Sequence, residues 1–293
     1  MQIFSLKSRI ALKATGLLFL FNVFISCFLS GCFVPEIKDP AFLHGLNRRG
    51  FEKKYVNANG FKLLTLRKIS NPNEPVRIYI EGDGRAWISR RRFSDDPTPR
   101  EPIALYLAAE DPSANVAYIA RPGQFPESGS TECEPVYWST RRFSPEVIDA
   151  MSEAINGIKL DVGADRVELV GYSGGAAITV LVAAKRDDVK GLITVAGNLD
   201  HEALSAYHKT SPLEGSLNAV DYAVSVKNIP QRHFAGEKDK VVPVFIIRRF
   251  AEASGDVYCR SVIVVKRCGH NDGWVETWHD IAVDKLSNPV KAF

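Results

Sequence analysis

From residue 76 to the end of the chain, short apolar runs alternate with segments of helical periodicity. The apolar runs have the length of buried strands and cover 76–80, 116–120, 167–170, 192–196, 231–235 and 257–265. The helix candidates cover 102–110, 145–159, 175–185, 244–254 and 273–286. Strands that alternate with helices in this way form a mostly parallel sheet with helices on both faces. The sequence therefore predicts an α/β domain.

The start of this region departs from the alternation. Residues 51–57 and 61–67 have strand character and flank Asn57-Ala58-Asn59-Gly60, which is a hairpin turn signal. We therefore expect the sheet to open with an antiparallel hairpin and one domain to span residues 51–293. Residues 197–229 are long for a connection and could form a small cap.

Residues 1–31 have the layout of a secretory signal peptide. A basic start precedes an apolar run over 17–25, and no acidic residue occurs in the segment. The basic residues are Lys7, Arg9 and Lys13. The alternative is an uncleaved transmembrane anchor, for which the apolar segment is short.

The apolar segment ends in Leu29-Ser30-Gly31-Cys32, which resembles the lipobox of bacterial lipoproteins. The resemblance implies cleavage before Cys32 and lipidation of the Cys32 thiol. Residues 32–50, which contain two prolines, would then be a tether. Several acyl chains, at about 0.8 kcal/mol per buried CH₂, anchor a protein stably in a membrane. We therefore expect a lipid-anchored protein of the bacterial cell envelope that faces the periplasm.

Charge and cysteine usage argue against two other classes of protein. Lys and Arg total 37 and Asp and Glu total 34, and the three basic residues of the signal segment account for the difference. The domain thus has no excess of positive charge for nucleic-acid phosphates. Besides Cys32, the exported chain keeps Cys133, Cys259 and Cys268, so at least one thiol is unpaired, and Cys133 could pair with either of the others. No His/Cys spacing matches a zinc site, and we expect no metal, no cofactor and no nucleic-acid partner.

The most specific chemical signal is Gly171-Tyr172-Ser173-Gly174-Gly175, which lies between a predicted strand and a predicted helix. G-x-S-x-G at such a junction is typical of a nucleophile elbow, a sharp turn that projects the serine and needs glycines beside it. An ordinary glycine-rich turn or a phosphate-binding loop is the alternative. However, no lysine follows in the P-loop position and no G-x-G-x-x-G occurs. We therefore predict that Ser173 is a nucleophile.

With this motif, the order of elements over residues 51–286 resembles the α/β-hydrolase superfamily of serine hydrolases. In that superfamily the acid and then the base follow the serine along the chain. The resemblance implies Asp239 as the acid, because it stands in a strand-then-Gly-x-x-Asp turn. It implies His270 as the base, because it stands in a Gly-His turn after the last strand.

Other residues compete for these two roles. Glu237 shares the loop of Asp239, and Asp200 follows the preceding strand, where some members carry the acid. His279 lies inside a predicted helix and is more typical of packing or of a surface.

The same resemblance implies an oxyanion hole. One donor would be the N–H of Gly174, the residue after the nucleophile. The other would come from the loop Glu81-Gly82-Asp83-Gly84, through the amide of Asp83, Gly84 or Arg85. A hairpin-like Asp-Gly turn is the alternative for this loop.

Arginines are frequent in the loops around the expected site. Forked guanidinium groups suit an anionic substrate, but acidic residues interleave with them, so we favour surface ion pairs. The arginines are Arg85, Arg90, Arg91, Arg92, Arg100, Arg121, Arg141 and Arg142.

Together these features predict a serine hydrolase that acts on carboxylic esters through an acyl-enzyme. Lipids, lysolipids and thioesters are candidate substrates, and the membrane is a partner through lipidated Cys32. The alternatives are an acyltransferase with the same triad and a catalytically idle binding lipoprotein. The Gly-Asp-Gly loop and Gly197-Asn198-Leu199-Asp200-His201 also resemble a group of bacterial lipoprotein-like hydrolases of undefined substrate. The sequence leaves the substrate and the oligomeric state open.

Overall fold

The structure is a computed structural model that describes residues 45–89, 92–127, 133–255 and 262–282, without the side chains of residues 279 and 282. All of these residues belong to a single compact unit. The predicted signal peptide, Cys32, Cys259, Arg90 and Arg91 lie outside the described residues. Within the described residues, no helix combines the length and the apolar character needed to cross a bilayer. Cys133 and Cys268 are free thiols.

Ten strands are described: β1 (Glu52–Ala58), β2 (Phe61–Ile69), β3 (Val76–Ile80), β4 (Trp87–Ser89), β5 (Arg92–Phe93), β6 (Asn115–Ile119), β7 (Val167–Tyr172), β8 (Val189–Val195), β9 (Gln231–Gly236) and β10 (Val262–Val265). Six helices are described: α1 (Ile103–Ala109), α2 (Pro145–Val162), α3 (Gly174–Ala183), α4 (His201–His208), α5 (Val244–Ala253) and α6 (Trp274–Ala282). The predicted strands and helices are present, with small shifts at their ends, and the predicted parts at 257–261 and 283–286 lie outside the described residues. The sequence does not predict helix α4 or the ribbon of β4 and β5.

Eight of these strands form one sheet in the order β1-β2-β6-β3-β7-β8-β9-β10. Strand β2 pairs antiparallel with both β1 and β6, whereas every other neighbouring pair is parallel. The hairpin turns at Asn59 and Gly60, whose φ angles of 42° and 82° are those that a two-residue hairpin turn requires. The prediction of a mostly parallel sheet with an antiparallel N-terminal hairpin is confirmed.

Helices cover both faces of the sheet because its central strands are apolar on both sides. Residues of α2, α3 and α5 form one buried cluster with one face of the sheet. Residues of α1 and α6, including Trp274 and Trp278, form a second cluster with the other face. Strand β6 is buried along its whole length, as expected for a strand between two helical layers.

The parallel strands all end at the same edge of the sheet. The loops that follow β3, β7, β8, β9 and β10 therefore meet there, and this is where sheets of this kind bind ligands. The predicted residues Ser173, Asp239, His270, Asp83 and Gly84 lie in these loops, and Gly174 begins the helix that follows β7.

Residues 197–229, which connect β8 to β9, contain α4 and a 3₁₀ turn at Ala219–Tyr222. The 3₁₀ turn packs against α3 and α5. The Leu217 N–H donates to the Phe143 carbonyl at 3.0 Å. The connection is thus held on the domain by contacts with several elements.

A short segment ahead of the first strand packs on the domain. Residues 45–48, which the sequence assigns to the tether, form a helical turn. Leu46 is buried in the second cluster, and the Arg49 guanidinium donates to the Ala109 carbonyl at 3.1 Å. One apolar residue in a polar stretch gives no periodic signal, so this turn could not be found from the pattern alone.

Candidate active site

Ser173 stands in the sharp turn between β7 and α3. Its φ and ψ are 52° and −118°, which a residue with a side chain rarely adopts. A Cβ on Gly171 would lie 2.3 Å from Thr179 Oγ1, and a Cβ on Gly175 would lie 2.3 Å from the Ile80 carbonyl. The two glycines therefore let α3 approach β7 and β3 closely enough to form the turn.

The structure brings the three residues predicted for a triad into one hydrogen-bonded chain. Ser173 Oγ lies 3.0 Å from His270 Nε2, and His270 Nδ1 lies 2.8 Å from Asp239 Oδ2. The buried Asp239 carboxylate also accepts hydrogen bonds at Oδ1 from the N–H groups of Val241 and Val242, both at 2.8 Å. These bonds fix the carboxylate so that its second oxygen faces the imidazole.

The loops that carry the acid and the base are joined through their backbones. The Glu237 N–H donates to the Val265 carbonyl at 3.0 Å, and the Lys238 N–H donates to the Cys268 carbonyl at 2.9 Å. A Cβ on Gly236 would lie only 2.7 Å from that Cys268 carbonyl. The parallel pair of β9 and β10 therefore continues into the two loops and sets their separation.

Two aromatic residues that no sequence motif marks for this role hold the His270 loop. The Tyr172 hydroxyl shares its one proton between the His270 carbonyl at 3.0 Å and Asn271 Oδ1 at 2.6 Å. Trp274 Nε1 donates to the same His270 carbonyl at 2.9 Å, and the Tyr172 and His270 rings lie 5.5 Å apart. Tyr172 and His270 are 98 residues apart in sequence, so no local pattern reveals this contact.

The rival acids have other partners. Asp200 caps α4 by accepting from the Ala203 N–H at 3.0 Å, and it accepts from Arg249 Nε at 2.9 Å. Glu237 is exposed and accepts from the Arg267 N–H at 3.4 Å. The rival base, His279, lies in α6, and its side chain is outside the description.

The carboxylate of Asp83 lies directly against Gly174. A Cβ on Gly174 would be 2.0 Å from Asp83 Oδ1. Asp83 forms ion pairs with Arg142 at 2.6 Å and with Arg121 at 3.3 Å. Burial alone would raise the pKa of Asp83, but the charges of Arg142 and Arg121 outweigh burial and lower it. An ionised and doubly paired carboxylate therefore stands beside the residue after the nucleophile.

The structure narrows the choice of oxyanion donors. The Arg85 N–H already donates to the Pro97 carbonyl at 2.9 Å, which excludes the third candidate amide. Gly84 also packs against the Pro97 carbonyl, because a Cβ on Gly84 would lie only 2.2 Å from that oxygen. By contrast, a Cβ on Gly82 would lie 3.3 Å from Ser173 Cβ, so the loop passes the serine at Gly82, next to Asp83, whose carboxylate lies against Gly174. The N–H of Gly174 is in the first turn of α3 and has no acceptor within that helix.

Most of the described arginines that the sequence groups around the site form ion pairs. Arg92 pairs with Asp95, Arg141 with Glu146, and Arg121 and Arg142 both pair with Asp83. Arg85 and Arg100 are exposed. Arg92 and Arg141 thus form surface ion pairs, as the sequence predicts, whereas Arg121 and Arg142 form largely buried pairs with Asp83, which the sequence does not predict.

Known structures share this architecture at low sequence identity. Est1E from Butyrivibrio proteoclasticus, solved with ferulic acid, is 14% identical, with a TM-score of 0.60 over 80% of this chain and 100% of that one. An α/β serine hydrolase homologue from Coxiella burnetii is 15% identical, with a TM-score of 0.57 over 80% and 97%. An acylaminoacyl peptidase from Pyrococcus horikoshii is 17% identical, with a TM-score of 0.60 over 86% of this chain and 44% of that one.

These similarities confirm the prediction of an α/β-hydrolase fold. At such identities they establish the fold alone. In sequence comparisons, no protein-family model and no curated protein matches the chain.

Proposed function

We propose that this protein is a serine hydrolase that cleaves carboxylic esters through an acyl-enzyme on Ser173. The observation that carries the proposal is the chain of hydrogen bonds from Ser173 through His270 to Asp239, which starts at a serine held with positive φ. Structures of the same fold that are described as esterases and serine hydrolases add support.

In this mechanism, His270 Nε2 accepts the proton of Ser173 as Oγ attacks the ester carbonyl carbon. Asp239 keeps the proton on Nδ1 and stabilises the imidazolium that forms. His270 then donates the proton to the leaving alcohol, and the acyl group stays on Ser173. Water, deprotonated by His270, attacks the acyl-enzyme and releases the acid.

The negative charge that develops on the carbonyl oxygen needs hydrogen-bond donors. The N–H groups of Gly174 and Asp83 supply them in this proposal, because Gly82 passes Ser173 and the Asp83 carboxylate lies against Gly174. The Asp83 carboxylate by itself would oppose such a charge. Arg121 and Arg142 offset it, so that the loop can carry an acidic residue here.

Labelling with a fluorophosphonate, combined with turnover of short-chain esters, tests the proposal. We expect Ser173→Ala to abolish labelling and to reduce kcat by about 10⁶-fold, as the loss of a triad nucleophile does. Ser225→Ala, at an exposed serine, is the matched control and should keep both the labelling and the ester turnover. Labelling that persists in Ser173→Ala would refute the assignment.

We also propose that lipidated Cys32 anchors the protein in the bacterial cell envelope with the domain facing the periplasm. The support is the basic start, the apolar run and the Leu29-Ser30-Gly31-Cys32 box in the sequence.

A further inference from the structure

The peptide group between Gly82 and Asp83 is held by a side chain from a neighbouring loop. Gln124 Nε2 donates to the Gly82 carbonyl at 2.9 Å. This carbonyl belongs to the same planar peptide group as the Asp83 N–H, which is one of the two oxyanion donors proposed above. In a trans peptide group the C=O and the N–H point in opposite directions. The bond from Gln124 therefore also fixes the direction of the Asp83 N–H.

The orientation of the Gln124 amide follows from its two partners. Gln124 Oε1 accepts from the Arg121 N–H at 3.0 Å, while Nε2 donates to the Gly82 carbonyl. A backbone carbonyl can only accept and a backbone N–H can only donate, so a flipped amide would lose both bonds. Gln124 is 2% exposed, so neither bond competes with bulk water.

A tight turn places Gln124 against the loop after β3. The Gln124 N–H donates to the Arg121 carbonyl at 3.1 Å, and Gly123 between them has a φ of 81°. A proline precedes this glycine, and Pro-Gly at the centre of a turn is typical of type II. The Arg121 guanidinium also pairs with the Asp83 carboxylate at 3.3 Å. One turn thus holds both the side chain of Asp83 and the peptide group that carries its N–H.

The Asp83 N–H is available as a donor. Within the described part of the chain it has no hydrogen-bond acceptor, whereas the Gly82 N–H donates to the Glu81 carboxyl group at 2.9 Å. If the peptide group turned over, the Gly82 carbonyl oxygen would take the direction that the Asp83 N–H has now. That oxygen would repel an oxyanion instead of binding it.

We propose that Gln124 is a positioning residue of the oxyanion hole, which keeps the Asp83 N–H directed at the oxyanion of the tetrahedral intermediate. The inference rests on the proposed hydrolase function and its acyl-enzyme. The hydrogen bond to the oxyanion is made only once the carbonyl oxygen becomes charged. Loss of the Gln124 bond should therefore lower kcat and leave KM nearly unchanged.

Gln124→Met removes both hydrogen bonds of the side chain and keeps its length. We expect kcat for a short-chain ester to fall by about 10²-fold, as the loss of one oxyanion donor does. The affinity for a trifluoromethyl ketone, which forms a charged hemiketal with Ser173, should fall by the same factor as kcat/KM. Gln231→Met is the matched control, because Gln231 is also 2% exposed and donates to the Val226 carbonyl at 2.6 Å. It lies at the start of β9, and the control should keep kcat.

Gln124→Glu gives a readout that a merely structural bond would not. An ionised carboxylate cannot donate to the Gly82 carbonyl, whereas a protonated one can donate to it and still accept from the Arg121 N–H. The ratio of kcat in this variant to kcat in the wild type should therefore rise as pH is lowered. Measuring the wild type at each pH corrects for the titration of His270. In the control Gln231→Glu, the same ratio should not change with pH.

The outcomes distinguish this inference from the proposed function. Wild-type kcat in folded Gln124→Met, or an equal loss in Gln231→Met, refutes the inference and leaves the hydrolase. A loss of kcat without an equal loss of affinity for the ketone also refutes it, since the oxyanion is then still bound. If Gln124→Met does not fold, Gln124→Glu decides, and a ratio that does not change with pH refutes the inference. If the wild type neither cleaves an ester nor takes up a fluorophosphonate, both proposals fail.

Discussion

The Asp83 carboxylate fills the space that a side chain on Gly174 would need, with Oδ1 only 2.0 Å from the position of a Cβ. This packing joins the two residues whose amides we propose as oxyanion donors. A larger side chain at residue 174 would collide with this carboxylate, which lies on a different loop. This contact is a reason for glycine at that position that is separate from the geometry of the turn.

Gly174→Ala should for this reason displace Asp83 and the loop that carries it. We expect kcat/KM for a short-chain ester to fall by at least about 10²-fold, since a shift of about 1 Å in a catalytic group costs that much. Gly157→Ala is the control, because it adds the same methyl group to α2 where nothing lies within 4 Å. That control should keep full activity and gain up to about 1 kcal/mol of stability. Wild-type activity in Gly174→Ala would show that the Asp83 loop can move without loss of catalysis, which would contradict this prediction.

Asp83→Asn should cost stability as well as activity. It leaves the Arg121 side chain, which is 4% exposed, without its carboxylate. Removal of one partner of a buried ion pair costs about 3–5 kcal/mol in free energy of unfolding, measurable by urea denaturation. Asp95→Asn breaks the exposed pair with Arg92 and should cost at most about 1 kcal/mol. Similar losses in the two variants would contradict the role given to the Asp83 pairs.

Asp239→Asn should reduce kcat by about 10⁴-fold, because the amide cannot hold the Nδ1 proton of His270 as the carboxylate does. Asp200→Asn should keep most activity, since Asp200 caps α4 and pairs with Arg249. Steady-state kinetics on one ester compares the two directly. The reverse order of severity would assign the acid to Asp200.

The positions of Ser173, Asp239 and His270 could be predicted because each follows a strand with a clear apolar pattern. Parallel strands end at one edge, so residues after three of them meet whatever the details of packing. Two further features can be predicted from short motifs in the sequence. They are the hairpin turn at Asn59 and Gly60 and the glycines beside Ser173.

Other features depend on contacts that no local pattern encodes. The support of the His270 carbonyl by Tyr172 and the pairing of Asp83 with Arg142 join residues that are 98 and 59 positions apart in sequence. Strands β4 and β5 have three and two residues, which is too short for an alternating apolar pattern, so the sequence does not predict them.

The stability of the protein should depend on pH through Glu81. This buried carboxyl group accepts hydrogen bonds from the N–H groups of Gly82 and Ala104, but burial outweighs them and raises its pKa from 4.5 to about 7. Between these values the folded state binds more protons than the unfolded state, so this group destabilises the fold as pH rises from 4.5 through 7.

Glu81→Gln should remove that dependence. Relative to the wild type, its free energy of unfolding should rise by up to about 3 kcal/mol between roughly pH 4.5 and pH 8. Urea denaturation of both proteins across this range gives the difference. A difference that stays constant with pH would show that Glu81 titrates alike in the folded and unfolded states.

Lipid anchoring predicts that a radioactive fatty acid labels the wild type and that the protein stays with membranes through a high-salt wash, since salt screens only charge contacts. Cys32→Ser should lose the label and accumulate as a heavier precursor. Cys133→Ser, which changes a free thiol within the domain, should keep the label. An unlabelled wild type, or a labelled Cys32→Ser, would refute anchoring through this residue.

The positive φ of Ser173 has a consequence for any effort to raise the thermal stability of this protein. A backbone held in that region costs about 1–3 kcal/mol for a residue with a side chain, and glycine would relieve it. The fold is therefore less stable with the nucleophile than it would be without it. A selection for heat resistance that does not also demand turnover would favour inactive chains, and the serine would be among the first positions to change.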